Sequence, residues 1–234
     1  MSSTVDYLRS LNLQIIDVFG LPFSYRGETS DEVVGNEILE EGKYVLPIED
    51  FQPKVIIDCG SNIGYSTLYF ANTYPDAQIY AIEPEKINFK FLQYNTIFYD
   101  NIHLINSAVW GKESFVRLES TELGEMGYMT VETGEDNPTA FKATTIGKLI
   151  HENGINEIDL LKIDVVGAEK EIFGAEDVDD WLSKVKVLTL VIHDEMKSGA
   201  SNSILKTPGA TSTLAFISLS KILLINPPPL PYQF

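Results

Sequence analysis

The middle of the chain is built from short apolar runs that each stop at a polar residue. Val55-Ile56-Ile57 ends at Asp58, and Ile79-Tyr80-Ala81-Ile82 ends at Glu83. His103-Leu104-Ile105 runs on to Asn106 and Ser107. Ile158 to Ile163 ends at Asp164, and Val187 to Ile192 ends at His193 and Asp194. The runs are too short for globular helices, rich in Val and Ile, and unbroken rather than alternating. That pattern predicts strands covered on both faces. Helical spacing fills the gaps. Tyr65 to Tyr74 is stopped by Pro75, and Ile87, Phe91, Tyr94 and Phe98 follow an acid at Glu85. Thr145 to Asn153 carries Ile146, Leu149 and Ile150 on one face, and shorter pieces run from Ala168 to Phe173 and from Val178 to Leu182. Strand–helix–strand alternation predicts an α/β fold with a doubly wound, mostly parallel sheet and right-handed crossovers.

The flanks differ in composition. Residues 1–52 mix short apolar pieces with Gly, Ser and acids and read as an N-terminal cap on a domain spanning 53–225. Leu214 to Ile217 and Lys221 to Ile225 would supply a closing antiparallel hairpin. Residues 226–234 form a Pro-rich tail whose terminal place suits disorder.

The 234 residues suffice to bury roughly 70% of the unfolded surface without staples. Asp plus Glu number 34 against 17 Lys plus Arg, a net charge of −17 that repels phosphate backbones and anionic membrane. Nucleic acid and membrane are therefore not expected partners. A single cysteine, Cys59, excludes an internal disulfide, and no basic segment followed by an apolar run opens the chain. A reducing, cytoplasmic setting is the expectation.

A parallel sheet binds its ligand beyond the carboxyl ends of its strands. Here that edge would gather Asp58, Glu83, Ser107, Asp164 and His193. The first strand leads into Asp58-Cys59-Gly60-Ser61-Asn62-Ile63-Gly64, a glycine-bearing turn that lets a ligand approach the backbone. A dinucleotide fingerprint needs three glycines, but its positions hold Gly60, Asn62 and Tyr65, and no phosphate-cradling P-loop is present. Asp58 at the loop's start repels a pyrophosphate and suits an ammonium group. Glu83, at the end of the second strand, suits the two hydroxyls of a ribose. Ammonium plus ribose without phosphate describes S-adenosylmethionine (SAM).

Val55 to Gly64 and Ala81-Ile82-Glu83-Pro84 resemble the first two SAM-binding motifs of class I, Rossmann-like methyltransferases. Asn88-Phe89, Leu92, Asn95 and the run Asn106 to Gly111 continue the likeness. Thr144 to Leu149, the block Ile158 to Glu169, and His193-Asp194 before Lys197 to Gly199 resemble the FkbM family, over roughly residues 26 to 203. The resemblance implies SAM-dependent methyl transfer, mostly to hydroxyls of sugars and other small molecules. It implies Asp58, Gly60, Asn62 and Gly64 around the methionine part of SAM, Glu83 on the ribose, and Ser107, Ala108 and Val109 by the adenine. Ser30-Asp31, after Arg26, matches a feature that folds over the cofactor.

A hydroxyl acceptor needs its proton removed or its oxygen held by a metal. Asp164 and His193, ending neighbouring strands, are the candidate catalytic bases. With Asp194 they offer oxygen and imidazole ligands to a divalent metal. Val166 departs from the family pattern Lys-x-Asp-x-Glu-Gly-x-Glu, where the first Glu is expected. The reading is thus a SAM-dependent O-methyltransferase. The alternatives are a SAM-binding relative that has lost catalysis and, disfavoured by Asn62 and Tyr65, a nucleotide-dependent oxidoreductase.

Overall fold

The structure, a computed structural model, describes residues 12–121, 124–192 and 221–224. The chain enters through an antiparallel hairpin, β1 (Leu13–Val18) and β2 (Leu21–Arg26). Its two-residue turn places both Phe19 and Gly20 at positive φ, 55° and 83°, as the twist of tight hairpins demands. Helix α1 (Ser30–Leu39) follows, with the Thr29 side chain accepting from the Asp31 N–H at its start.

The α/β region then begins. Strand β3 (Val55–Cys59), helix α2 (Tyr65–Thr73), β4 (Gln78–Ile82), helix α3 (Lys86–Asn95) and β5 (Ile102–Ile105) alternate as the pattern predicts. Glu85 is the N-cap of α3, its carboxylate accepting from the N–H groups of Ile87 and Asn88. Next come β6 (Ala108–Val109), β7 (Ser114–Thr121), β8 (Gly124–Thr133) and β9 (Phe141–Thr144). The chain returns through α4 (Ile146–Glu152), β10 (Ile158–Ile163), α5 (Glu169–Phe173), α6 (Val178–Leu182) and β11 (Val185–Leu190) to β12 (Lys221–Leu224).

Six strands form the central sheet in the order β12-β11-β10-β3-β4-β5, parallel except for β12, which runs antiparallel to β11. This is the doubly wound, Rossmann-like arrangement, and the order reverses between β3 and β10, the place where such sheets open a crevice. The fifth parallel strand stops at Leu190, two residues short of the apolar run. β12 falls within the segment expected to close the sheet, while Leu214 to Ile217 and the Pro-rich tail lie outside the described residues.

A second sheet, in the order β6-β9-β7-β8, occupies residues that the sequence pattern left unassigned. Its long strands carry Glu, Ser, Thr and Gly among the apolar positions, which hides the period.

Alternate residues of the central strands feed two cores. Ile57, Cys59, Leu161, Ile163 and Leu188 pack with Ile146 and Leu149 of α4, Trp181 of α6 and Val116 of the second sheet. Ile56, Ile79, Leu160 and Val187 pack with Leu68 and Phe70 of α2, and with Phe23, Ile38 and Tyr44 from the N-terminal region. The N-terminal segment is thus part of one of the two cores. Among the described residues, no helix is long and apolar enough to cross a membrane.

Candidate active site

The glycine loop leaves β3 with Gly60 at φ 83° and Asn62 at φ 49°. The N–H groups of Gly60 and Ser61 both donate to the Ile82 carbonyl at 3.0 Å, which ties the loop to the end of β4. A Cβ built on Gly60 would lie 2.1 Å from the Asp164 carbonyl oxygen, so the residue is glycine because the strand end of β10 presses on it. Asp164 is held there by its own N–H, which donates to the Cys59 carbonyl at 3.1 Å.

Beneath the loop sits a buried pair. Asp58 and Lys162 are register partners on β3 and β10, with Lys162 Nζ 2.8 Å from Asp58 Oδ1. Lys162 also donates to the Gly60 carbonyl at 2.8 Å. Asp58 Oδ2 accepts from the hydroxyls of Ser66 and Thr67 on the first turn of α2, at 2.8 and 2.7 Å. This corrects the expectation that Asp58 faces a ligand's ammonium group. Its side chain is 0% exposed and does not border the cavity. Its charge neutralises Lys162 and positions the loop from behind.

A cavity of about 870 Å³ opens above the loop, within the range of small-molecule sites. Gly60, Ser61 and Asn62 form its floor, and Glu83, Pro84 and Asn88 one wall. Asp164, Val165 and Val166 line another wall, with Leu118, Thr130 and Phe141 from the second sheet. Arg26, Ser30, Glu37, Lys43 and Tyr44 enclose it from the N-terminal side. Gly64 takes no part in the wall; its φ is 108°, and a Cβ built there would lie 3.1 Å from the Leu92 side chain of α3. Asp31 is also turned inward, gripping the Arg26 guanidinium at 2.7 Å through both carboxylate oxygens.

The Glu83 carboxyl is strongly perturbed. Burial pushes its carboxyl up, the N–H groups of Glu85 and Asn62 pull it down, nearby Glu85 pushes it up and the Asn88 side chain pulls it down. The balance lies at about 7, against an ordinary 4.5. Its Oε2 accepts from the Asn62 N–H at 3.0 Å and its Oε1 from the Glu85 N–H at 2.8 Å. Two further acceptors stand beside it. The Oδ1 atoms of Asn62 and Asn88 are buried and have no hydrogen-bond partner among the described residues. Buried acceptors without donors are costly, so these two atoms could accept from the O–H or N–H donors of a ligand.

Ser107, Ala108 and Val109 border a narrow recess of about 20 Å³, room for roughly one water molecule and not a purine. Gly60, Pro84, Thr130 and Val165 border both this recess and the large cavity. The Ser107 hydroxyl is turned to the Lys142 carbonyl at 3.0 Å.

Asp164 is 21% exposed on the wall. Its Oδ2 accepts from the Tyr44 hydroxyl at 2.8 Å and lies 3.5 Å from Lys43 Nζ. Val166 is half-buried on the wall, its carbonyl accepting from the Thr130 N–H at 3.0 Å. His193 and Asp194 lie outside the described residues, and among those described no three His, Cys, Asp or Glu side chains gather as a metal site.

Residues 58–205 match the methyltransferase FkbM domain. The chain belongs to that family. It is a SAM-dependent methyltransferase. Among its relatives, Methyltransferase 1 of Beauveria bassiana is 26% identical over 197 residues, covering 72% of this chain and 76% of that protein. The 31-O-demethyl-FK506 methyltransferase FkbM of Streptomyces tacrolimicus is 23% identical over 228 residues, covering 83% and 84%. Among solved structures, a methyltransferase from Geobacter sulfurreducens aligns at 14% identity and a TM-score of 0.42, covering 96% of this chain and 94% of the other.

The match places Asp164 and Lys162 inside the family segment, while Lys43 and Tyr44 lie before it. Sequence reasoning did not single out Asn88, Lys43, Tyr44 or Lys162 for a role. Asn88 and Lys162 sit within quoted motifs, but nothing along the chain announces the contact between Tyr44 and Asp164, 120 positions apart.

Proposed function

We propose that this methyltransferase acts on a hydroxyl of an uncharged small molecule, sugars included, with Asp164 as the base. The observation that carries the reading is the Asp164 carboxylate on the cavity wall, at the strand end that presses on the glycine loop. The wall's charges favour a neutral acceptor. Its cations are already engaged: Arg26 by Asp31, Lys162 by Asp58, and Lys43 by Glu37 and Asp164. Glu28, Glu83 and Glu85 add negative charge. A phosphate or carboxylate on the acceptor would meet repulsion.

SAM, when bound, supplies a methyl group on a positively charged sulfur with a good leaving group. Glu83 and the buried Oδ1 atoms of Asn62 and Asn88 would accept from the ribose hydroxyls. With SAM bound, Asp164 would take the acceptor's hydroxyl proton while SAM supplies the methyl group to that oxygen and keeps the electron pair of the broken bond on its sulfur. The products would be a methyl ether, a neutral thioether and a protonated Asp164, which would return its proton to water. The residues enclosing the cavity from the N-terminal side exclude solvent and hold the reactants close.

Asp164→Asn tests this reading. Turnover, followed as thioether release with a panel of neutral hydroxyl compounds, should fall about a hundredfold, the lower range for loss of a general base. SAM affinity by calorimetry should change less than about threefold. Equal turnover in the variant would assign the proton elsewhere.

Glu83 gives the cofactor half a test of its own. Only the ionised carboxylate accepts both hydroxyls, and in the free protein it ionises at about 7. SAM affinity should therefore rise about tenfold from pH ~6 to ~8 as the proton leaves. Glu83→Ala should lose at least about 1 kcal/mol of binding at pH ~8, and Glu83→Gln should lose the pH dependence. A flat profile in the parent protein would remove Glu83 from the ribose.

A further inference from the structure

Two residues ahead of the family segment reach the proposed base. Lys43 and Tyr44 follow α1 in a loop and line the cavity. Tyr44 is only 3% exposed, its ring tilted against Phe70 of α2 at 5.6 Å between centroids. From that fixed seat, its hydroxyl donates to Asp164 Oδ2 at 2.8 Å. The face of the same ring receives Lys162 Nζ at 5.5 Å, and Lys162 in turn holds Asp58 and the Gly60 carbonyl. One side chain thus touches both the support of the glycine loop and the carboxylate on the acceptor wall. Lys43 approaches the same Asp164 oxygen at 3.5 Å while Glu37 holds its ammonium at 2.9 Å.

We propose that Tyr44 and Lys43 are positioning residues of the methyl-transfer site, orienting the Asp164 carboxylate so that the N-terminal segment completes the acceptor half. The inference rests on Asp164 being the base. A carboxylate at the end of a strand has two free torsions, and proton abstraction requires one rotamer aimed at the acceptor. Two donors converging on a single oxygen, one of them a phenol fixed by packing, set that rotamer. The phenol remains a donor because burial, and then Asp164 beside it, push its ionisation well above the ordinary 10.0. Lys43 remains an ammonium. Burial alone would lower it, but Asp164 and Glu37 together outweigh burial and hold it above the ordinary 10.5.

The test uses the full chain. Tyr44→Phe keeps the ring and removes only the hydroxyl. Lys43→Met removes the charge, and Lys43→Arg restores it. Turnover is measured with SAM and whichever member of a panel of monosaccharides, catechols and aliphatic alcohols the parent methylates fastest. SAM binding is measured by calorimetry and folding by thermal melting. The expected result is a fall in kcat of about tenfold or more for Tyr44→Phe and a smaller fall for Lys43→Met, with Lys43→Arg recovering most of it. SAM affinity in all three should stay within about twofold of the parent. Unchanged kcat in Tyr44→Phe, beside a collapse in Asp164→Asn, would overturn the positioning role and leave the proposed function standing. A loss of SAM affinity matching the loss of kcat would overturn it in favour of a role in holding the cofactor. Unchanged kcat in Asp164→Asn, or a parent that binds SAM and methylates no panel member, contradicts the proposed function and this role together.

Discussion

Gly60→Val should abolish SAM binding in calorimetry. The position carries two independent constraints. Its φ of 83° is disfavoured for a branched side chain, and its Cβ would stand 2.1 Å from the Asp164 carbonyl oxygen. That oxygen cannot swing aside as a flexible side chain would. It belongs to backbone pinned by the Asp164 N–H on the Cys59 carbonyl. Overpacking costs about 1–3 kcal/mol and the strained φ a further ~1–3, so the loop should rebuild rather than accept the side chain. Rebuilding displaces Asn62 from Glu83 and Lys162 from the Gly60 carbonyl. The damage therefore arises from the protein's own backbone, before any cofactor is considered. Gly154 is the control. It also has positive φ, 65°, but a Cβ there meets nothing within 4 Å. Gly154→Ala should cost about 1 kcal/mol of stability and leave SAM affinity unchanged. Normal SAM binding by Gly60→Val would contradict the geometry of the loop.

Lys162→Met should destabilise the fold by about 3–5 kcal/mol, read from urea unfolding, because it strands a buried carboxylate. Lys162 is 2% exposed and Asp58 0%, so water cannot replace the lost partner. The loss is specific to the uncompensated charge. Adding Asp58→Asn removes that charge yet keeps an acceptor for Ser66 and Thr67, and the double variant should recover about half of the deficit. Equal stability of the single and double variants would mean that Lys162 matters for packing alone.

The central strands were legible because both faces of the sheet are covered. Alternate residues such as Ile56 and Ile57 enter different cores, so the run reads as unbroken apolar sequence. The acids at strand ends were legible for the same topological reason, and Glu83 and Asp164 both line the cavity, on different walls. Asp58 misled because its neighbours across the sheet are a matter of register. Lys162 lies in plain sight in the sequence, but only the pairing of β3 with β10 puts its ammonium on Asp58. The hairpin at the start carries Phe19, not Gly or Asn, at a positive-φ turn position, so the usual turn signal is missing. Tyr44 shows the deepest limit. A tyrosine in a loop before the first core strand has no local mark, and its meaning arises only when the chain folds back to present Asp164, 120 positions further on.

If the cavity above the glycine loop takes SAM through Glu83 and its neighbours, as proposed, the full chain should bind SAM in preference to a dinucleotide. Calorimetric titration of the full chain at pH ~8 with SAM, and separately with NAD, tests it most directly. One SAM should bind per chain, with no heat from NAD, whose pyrophosphate would have to enter an acid-lined cavity whose cations are already paired. Binding of NAD without binding of SAM would contradict it.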